Sequence, residues 1–227
     1  MYDDIKLDKL NRTETLKYLG YGNINADEKT DKLMDLAEEK ILEAAKPRYI
    51  YKLFDINECE EGVEICGTSL ILHGDDIREH LSGCKQAVLF AATVSSDIDN
   101  IIKTYSYTDV LMSLVLDCMA SVAVEQVGNR FDDMIASKLP DKYLTFRFGV
   151  GYGDLPLAQQ SEVIAVLDAS KRIGITVTKD NIMIPRKSIT GIMGISDTPV
   201  AKKKQGCVIC SMKDICRFRK AGNHCNG

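Results

Sequence analysis

The stretch Arg147-Phe148-Gly149-Val150-Gly151-Tyr152 decides how the rest of this chain is interpreted. Its glycines suit a backbone that takes positive φ or that a ligand approaches closely. Arg147 offers a planar fork that holds a carboxylate through two hydrogen bonds, and Tyr152 offers a flat face and a hydroxyl. These are the parts of a site that would grip a small zwitterion carrying an aromatic base.

Spacing alone leaves two other interpretations of this stretch open. It suits a glycine-rich turn between a strand at 143–146 and a helix at 156–170 that has Pro156 in its first turn. It also suits the glycine-rich loop of a Rossmann-type nucleotide site. Such a loop normally follows the first strand and precedes several strand–helix units. Here only a short α/β stretch and a Cys-rich tail follow, so position disfavours the nucleotide loop.

A longer ordered pattern continues downstream of the stretch. Gly174, then Ile175-Thr176-Val177-Thr178, Met183-x-Pro185 and Ser188-Ile189-Thr190-Gly191 follow in sequence. Together with Arg147-x-x-x-Gly151-Tyr152, this series resembles the activation (reactivation) domain of cobalamin-dependent methionine synthase over residues 141–196. The N-terminal two thirds of the chain look more like the stand-alone relatives in that family.

The resemblance implies a protein that reactivates a separate corrinoid methyltransferase such as methionine synthase. In that family S-adenosylmethionine methylates the reduced cobalamin of the partner, while a flavodoxin or ferredoxin supplies the electron. By matched positions, Arg147 would hold the carboxylate of the ligand, the backbone at Gly149 and Gly151 would pass close to it, and Tyr152 would flank the methionyl or ribose portion. The protein would position two reactants, so no catalytic acid or base is expected, and cobalamin would be carried only by the partner.

Two departures from the family pattern bear on the function. Gly153 stands where the family has a proline after the tyrosine, and residues 197–200 stand where it has an aromatic pair. Adenine recognition is therefore expected to differ from that of the family. One alternative is a non-catalytic binding or scaffold module for a corrinoid protein. Another is a classical methyltransferase that acts on a small acceptor.

Composition bounds the function class. The chain has 227 residues, 45% of them hydrophobic, which is enough for one sizeable domain with a core. A net charge of −4 argues against nucleic acid as the main partner. The sequence shows neither a signal peptide at its start nor an evident membrane span, so a cytoplasmic protein with no membrane partner is expected.

The pattern of apolar residues predicts an α+β domain over residues 1–196. Strands are expected at 49–54, 63–66, 69–72, 86–93, 143–146 and 189–195, with a further pair near Ile175 and Ile182. The run at 86–93 is continuously apolar, which indicates a strand buried on both faces. Helices are expected at 26–45, capped by Asn25, at 75–81, from Ser96, and at 109–138, capped by Thr108. We expect a mixed, largely antiparallel sheet with the last of these helices at the centre of the core.

The last segment, residues 197–227, is predicted to be a linker and a Cys-rich metal-binding tail. Its spacing is Cys207-x2-Cys210-x5-Cys216-x8-Cys225, and four thiolates suit either a [4Fe–4S] cluster or tetrahedral zinc. The single Cys-x-x-Cys pair and the uneven spacing favour iron–sulfur. His224 is an alternative ligand, and a tail with no metal is the remaining possibility.

Other chemically active residues receive structural interpretations. His80-x-x-Gly83 has Arg78 in place of the aspartate that a corrinoid-binding motif needs, so His80 is interpreted as a surface helix residue. Cys118 is expected to be a small core residue. Asp97, Asp99 and Glu125 are weak candidates for contact with the ammonium group of a bound amino acid.

Overall fold

The computed structural model describes residues 5–22, 24–200 and 215. Its helices are α1 (Arg12–Tyr18), α2 (Glu28–Ala44), α3 (Asp75–Leu81), α4 (Ser96–Thr108), α5 (Val110–Lys138), α6 (Gln160–Leu167) and α7 (Ala169–Ile173). A 3-10 turn at Leu157–Gln159 precedes α6. The strands are β1 (Arg48–Cys59), β2 (Gly62–Ile65), β3 (Ile71–Leu72), β4 (Gln86–Thr93), β5 (Tyr143–Leu144), β6 (Thr176–Val177), β7 (Met183–Ile184) and β8 (Ser188–Ser196).

Six strands form one sheet in the order β3-β2-β1-β4-β8-β5. Every neighbouring pair in this sheet is antiparallel, and β6 and β7 form a separate two-stranded ribbon. The centre is the pairing of β4 with β1 on one side and with β8 on the other. This order places β5, which leads to the Arg147 stretch, at one edge of the sheet.

Side chains of β4 alternate between two hydrophobic clusters, one on each face of the sheet. Val88, Phe90 and Ala92 join the cluster that contains α2 and α5 residues. Ala87, Leu89 and Ala91 join the cluster that contains α3, α6 and α7 residues. Successive strand residues point to opposite faces, so the sheet lies between two helical layers.

Helix α5 packs in the larger cluster and carries 14 buried residues. By length and composition it is long and apolar enough to cross a membrane, which corrects the expectation that no such segment exists. Of its most apolar 18-residue window, 56% is buried within the protein. Burial of this kind is typical of a helix in the core of a folded domain.

The predicted α+β class, the antiparallel sheet and the central helix are confirmed, but several helix boundaries are wrong. Asp27, not Asn25, caps α2 by accepting a hydrogen bond from the Thr30 N–H. Asp109, not Thr108, caps α5 by accepting from the Met112 N–H. The helix expected after Pro156 is broken at Asp168, which adopts left-handed backbone angles between α6 and α7.

Candidate functional site

The backbone of the Arg147 stretch runs beside β8. Phe148 forms a bridge with Ile192, since each residue donates its N–H to the carbonyl of the other, at 2.9 and 2.8 Å. Phe148 packs in the cluster with α3 and α6, whereas the side chain of Arg147 extends towards α5. This alternation is what an extended edge segment dictates, and it separates the anchoring residue from the functional candidate.

Two glycines form a slot for the side chain of Arg147. A Cβ atom on Gly128 of α5 would collide with the guanidinium, and one on Gly191 of β8 would collide with the Cγ and Cδ atoms of Arg147. The guanidinium carbon lies 5.8 Å from the ring centroid of Phe90, within reach of a cation–π interaction. The side chain is 12% exposed, so the slot buries most of it.

Three residues on one face of α5 contact the guanidinium. Nη1 donates to Oδ2 of Asp132 at 2.9 Å, and Nη2 donates to Oε2 of Glu125 at 3.1 Å. Nη2 also has a longer contact, 3.4 Å, with Oδ1 of Asn129. Spacings of three, four and seven residues place these side chains and Gly128 on the same helical face. The arginine predicted to hold a ligand is therefore paired with two carboxylates of the protein.

Asp132 has an unusual environment for an ionised group. Its Oδ1 atom is buried and has no hydrogen-bond partner among the described residues. Burial raises the pKa of Asp132 to about 6, although the neighbouring Arg147 guanidinium favours the ionised form and opposes the shift. A carboxylate in such a place costs stability at neutral pH, which is typical of groups kept for function.

The glycine-rich turn presents Tyr152 at the surface. The Tyr152 N–H donates to the Gly149 carbonyl at 3.1 Å, and its ring packs where a Cβ atom on Gly149 would lie. The ring also makes an edge contact with Phe148, at 6.3 Å between centroids, yet the residue is 68% exposed. Gly151, between them, has φ +90, so the turn needs a glycine there.

Gly153 explains one of the two departures from the family pattern. Its φ is +55, which proline cannot adopt, and a Cβ atom there would collide with the Asp76 carboxylate. Asp76 Oδ2 accepts from the Asp154 N–H, while Asp154 accepts from the N–H groups of Asp75 and Asp76 at the start of α3. The turn is therefore fastened to α3 in a way that requires glycine.

The other departure, at residues 197–200, lies beyond the end of β8. Asp197 forms ion pairs with Lys85 and Lys142. Its hydrogen bond with Lys142 is the largest cause that lowers the pKa of Asp197 to about 2. An ion-pair cluster thus occupies the place where the family has aromatic residues.

His80 is buried, which corrects its interpretation as a surface helix residue. It is 4% exposed, and its Nε2 lies 2.8 Å from the Thr145 hydroxyl. Its ring packs against Phe146 and Phe148, at 4.5 and 5.0 Å between centroids. The short polar helix around His80 suggested exposure, because the approach of the 145–148 segment is not visible locally. His80 instead supports that segment from the face opposite Arg147.

The remaining candidates lie apart from Arg147 or outside the described residues. Asp97 pairs with Lys46, and Asp99 accepts from the Arg186 N–H. Cys118 is buried in α5, and burial raises the pKa of its thiol. The tail residues Cys207, Cys210, Cys216 and Cys225 lie outside the described part of the chain, as does the alternative ligand His224. Within the described ranges, no three His, Cys, Asp or Glu side chains converge as a metal site would require.

Two surface depressions formed by the described residues lie elsewhere. One, of about 400 Å³, is lined by Lys9, Leu10, Asn11, Arg12, Thr13 and Gln126. The other, of about 370 Å³, is lined by residues that include Lys40, Asp97 and Tyr105. Neither lining contains Arg147 or Tyr152. The assignment of Arg147, Gly149, Gly151 and Tyr152 to ligand binding stays a prediction.

Sequence and structure comparisons give a consistent assignment. Residues 67–200, more than half of the chain, match the family model described as "Vitamin B12 dependent methionine synthase, activation domain". A matching solved structure is the crystal structure of the MetH reactivation domain bound to AdoHcy, with a TM-score of 0.64 and 15% identity over 94% of this chain and 82% of that one. At that identity the likeness establishes the fold. The comparison with curated proteins gives no significant match.

Proposed function

This chain belongs to the family of vitamin B12 dependent methionine synthase activation domains, and from that premise we propose that it binds S-adenosylmethionine to support reactivation of a separate corrinoid methyltransferase. The reaction is the reductive methylation of the partner's cobalamin. The methyl group leaves the sulfonium of S-adenosylmethionine, which becomes S-adenosylhomocysteine, and joins the cobalt after one electron has reduced it. The proposed setting is the cytoplasm.

The observation that carries this proposal is the preparation of Arg147 for a carboxylate. Its side chain lies in a slot that two glycines open, two residues before the turn that presents Tyr152. A guanidinium has five N–H donors, and the contacts with Asp132, Glu125 and Asn129 use only Nη1 and Nη2. Glu125 is 49% exposed, so we propose that a ligand carboxylate takes its place on the outer edge of the fork.

The proposed contribution of the protein is orientation. Arg147 would fix the carboxylate end of the ligand, and the backbone at Gly149 and Gly151 would let it approach closely. Tyr152 would cover the methionyl or ribose portion with its exposed ring. Holding one reactant in a fixed pose removes much of the entropic cost of the encounter with the other. The transfer then needs no acid or base from this chain.

We further propose that residues 1–196 form the ligand-binding domain and that 197–227 form a linker and metal-binding tail. Cys207, Cys210, Cys216 and Cys225 are the proposed ligands of a [4Fe–4S] cluster, with zinc as the alternative. A cluster of this kind supplies one-electron chemistry. Without it, the electron would come from a flavodoxin or ferredoxin.

Calorimetry with S-adenosylmethionine and S-adenosylhomocysteine tests the proposal. We expect the wild-type protein to bind both ligands and Arg147→Ala to lose at least about tenfold in affinity, since it removes a charge-assisted fork. Arg172→Ala is the matched control, because Arg172 is an exposed arginine that pairs with Asp168. Equal affinity of wild type and Arg147→Ala would remove Arg147 from the site.

A second candidate function is the scaffold module without ligand. The observation that favours it is the pairing of Arg147 with two carboxylates, which would also suit a purely structural arginine. This candidate predicts no heat with either ligand, together with retained binding to a corrinoid methyltransferase. Methyl transfer to a small acceptor without any corrinoid protein would instead support the classical methyltransferase.

A further inference from the structure

The two carboxylates that contact Arg147 differ in what they can do. Glu125 is half exposed and reaches the outer nitrogen, Nη2, at 3.1 Å. Asp132 reaches Nη1 at 2.9 Å, is 32% exposed, and directs its other oxygen into the protein, where that atom has no described partner. A half-exposed side chain exchanges readily with solvent or ligand. The Asp132 carboxylate, by contrast, is partly buried and keeps its geometry. Asp132 is therefore the fixed contact of the Arg147 guanidinium.

The slot leaves the guanidinium with one main freedom, which Asp132 removes. Gly128 borders the guanidinium on the helix side, and Gly191 borders the Cγ and Cδ atoms of Arg147 on the sheet side. Between these walls the guanidinium can still rotate about its Nε–Cζ bond. The hydrogen bond from Nη1 to Asp132 fixes that rotation and directs the remaining N–H groups away from the core.

We infer that Asp132 is the positioning residue that orients the Arg147 fork towards the carboxylate of the ligand, and that it does so only while it is ionised. This inference rests on the proposed function. It assigns a role to a residue outside the glycine-rich stretch, 15 positions before Arg147 on α5. Asp132 acts through Arg147 and does not itself contact the ligand.

Protonation of Asp132 falls within an accessible pH range. The charged groups that act on it are Arg147, from the opposing segment, and Asp133 and Glu125 on its own helix. Burial raises its pKa to about 6. Below that pH the hydrogen bond loses its charge assistance and holds the fork less firmly. Ligand affinity should therefore hold above about pH 7 and fall as the pH drops through about 6.

The test measures S-adenosylmethionine binding from pH 5.5 to 8 for the wild type, Asp132→Asn and Asp133→Asn. Asp132→Asn keeps the shape of the side chain and removes the charge. We expect about tenfold weaker binding at pH 7.5, corresponding to about 1.4 kcal/mol, and a flat pH profile. Asp133→Asn, an exposed neighbour on the same helix, should keep the wild-type affinity at pH 7.5. It should move the fall in affinity to lower pH, because the charge of Asp133 helps to raise the pKa of Asp132. An Asp132→Asn protein with wild-type affinity and profile would overturn the inference.

A second readout does not depend on ligand binding. The side-chain nitrogen NMR signals of Arg147, assigned with Arg147→Lys, report whether the fork is fixed. We expect distinct, slowly rotating Nη signals in the wild type at pH 7.5, and averaged signals at pH 5 and in Asp132→Asn. Fixed signals in Asp132→Asn would overturn the positioning role. A wild type that binds no S-adenosylmethionine while showing the expected NMR behaviour would overturn the proposed function and its pH-dependent affinity, but not the contact that fixes the fork.

Discussion

Asp132 and Arg147 show how one pair can oppose stability and support binding. The carboxylate has an oxygen without a described partner, and its burial favours the neutral form. The arginine compensates only in part, because the pKa stays raised. Buried ion pairs of this kind seldom stabilise a fold more than apolar residues would. Their presence beside a glycine-lined slot therefore favours a role in positioning.

The pH dependence of stability should carry the signature of Asp132. Its pKa in the folded protein, about 6, lies above the value of about 3.9 for an unfolded chain. Between these values the folded state binds more protons, so this group's contribution to the free energy of unfolding falls as pH rises through about 4 to 6 and stays low above about pH 7. Urea unfolding measures the free energy of unfolding at pH 4.5 and at pH 7.5. From the lower to the higher pH, the wild type should lose more of this free energy than Asp132→Asn does. Equal losses in the two proteins would contradict the raised pKa.

Gly191→Ala should destabilise the protein through Arg147. The added Cβ would collide with the Cγ atom of Arg147, and overpacking of this kind typically costs about 1 to 3 kcal/mol. Because the collision is with the arginine side chain, the double variant Gly191→Ala/Arg147→Ala should recover part of that loss. Thermal or urea unfolding of the two single variants and the double variant measures the coupling. Strict additivity would show that Gly191 does not form the slot.

The functional candidates in the turn are visible in the sequence, but the residues that hold them are not. Arg147 and Tyr152 were visible because glycines surround them. Asp132 lies 15 positions away, and only the helix and sheet bring it to Arg147. One signal was available. In α5, Glu125, Gly128 and Asp132 share one face, and a glycine within a helix costs about 1 kcal/mol unless something packs against it.

At the scale of elements, the glycine-rich turn and α3 hold each other. Asp154 caps the first N–H groups of α3, and Asp76 from α3 accepts from the Asp154 N–H in return. Gly74 and Gly153 leave room for these two carboxylates. The helix therefore fixes the turn that presents Tyr152, although 77 positions separate Asp76 from Gly153.

Asp154→Ala should loosen this connection. It removes the cap of α3, a loss typically worth about 1 kcal/mol of stability, and frees the turn that carries Tyr152. We expect a lower melting temperature and weaker S-adenosylmethionine binding. Asp180→Ala, at an exposed aspartate in the turn between β6 and β7, should change neither. Unchanged binding in a destabilised Asp154→Ala protein would show that the turn needs no support from α3.

The ends of helices and strands that have a strong local sequence pattern are predicted accurately. Ends that depend on tertiary contacts are not. The continuous apolar run of β4 and the pattern of α3 give 86–93 and 75–81, as observed. The break between α6 and α7 was missed, since it occurs at Asp168 in left-handed conformation rather than at glycine or proline. The predicted N-caps of α2 and α5 are misplaced because two or three neighbouring residues could each cap the helix. Only the side-chain hydrogen bond seen in the structure shows which residue does so.

Across the molecule, the two hydrophobic clusters of the described residues lie between Ile5 and Ile195. A chain that ends at Val200 should therefore keep its core. We expect its melting temperature and its S-adenosylmethionine affinity to match those of the full chain. A loss of cooperative unfolding on truncation would contradict the proposed boundary near residue 196.

Metal analysis of anaerobically purified protein tests the proposed tail. We expect about four irons per chain, visible absorbance that bleaches on reduction, and loss of both in Cys207→Ser. One zinc per chain without absorbance would select the alternative. Cys59→Ser is the control, since Cys59 lies in β1 and donates to the Gly62 carbonyl. Protein free of both metals would remove the metal-binding role.

From Phe146 to Phe148 the side chains alternate between the two faces of the sheet, which limits how this protein can change. Phe146 and Phe148 pack with His80 on one face of the sheet, and Arg147 enters the slot on the other. Inserting or deleting one residue there would exchange the two faces, driving an aromatic ring towards the acids and a cation into hydrocarbon. The length of this short segment is thus constrained as tightly as the identity of Arg147, and a gain or loss of a single codon should not be tolerated.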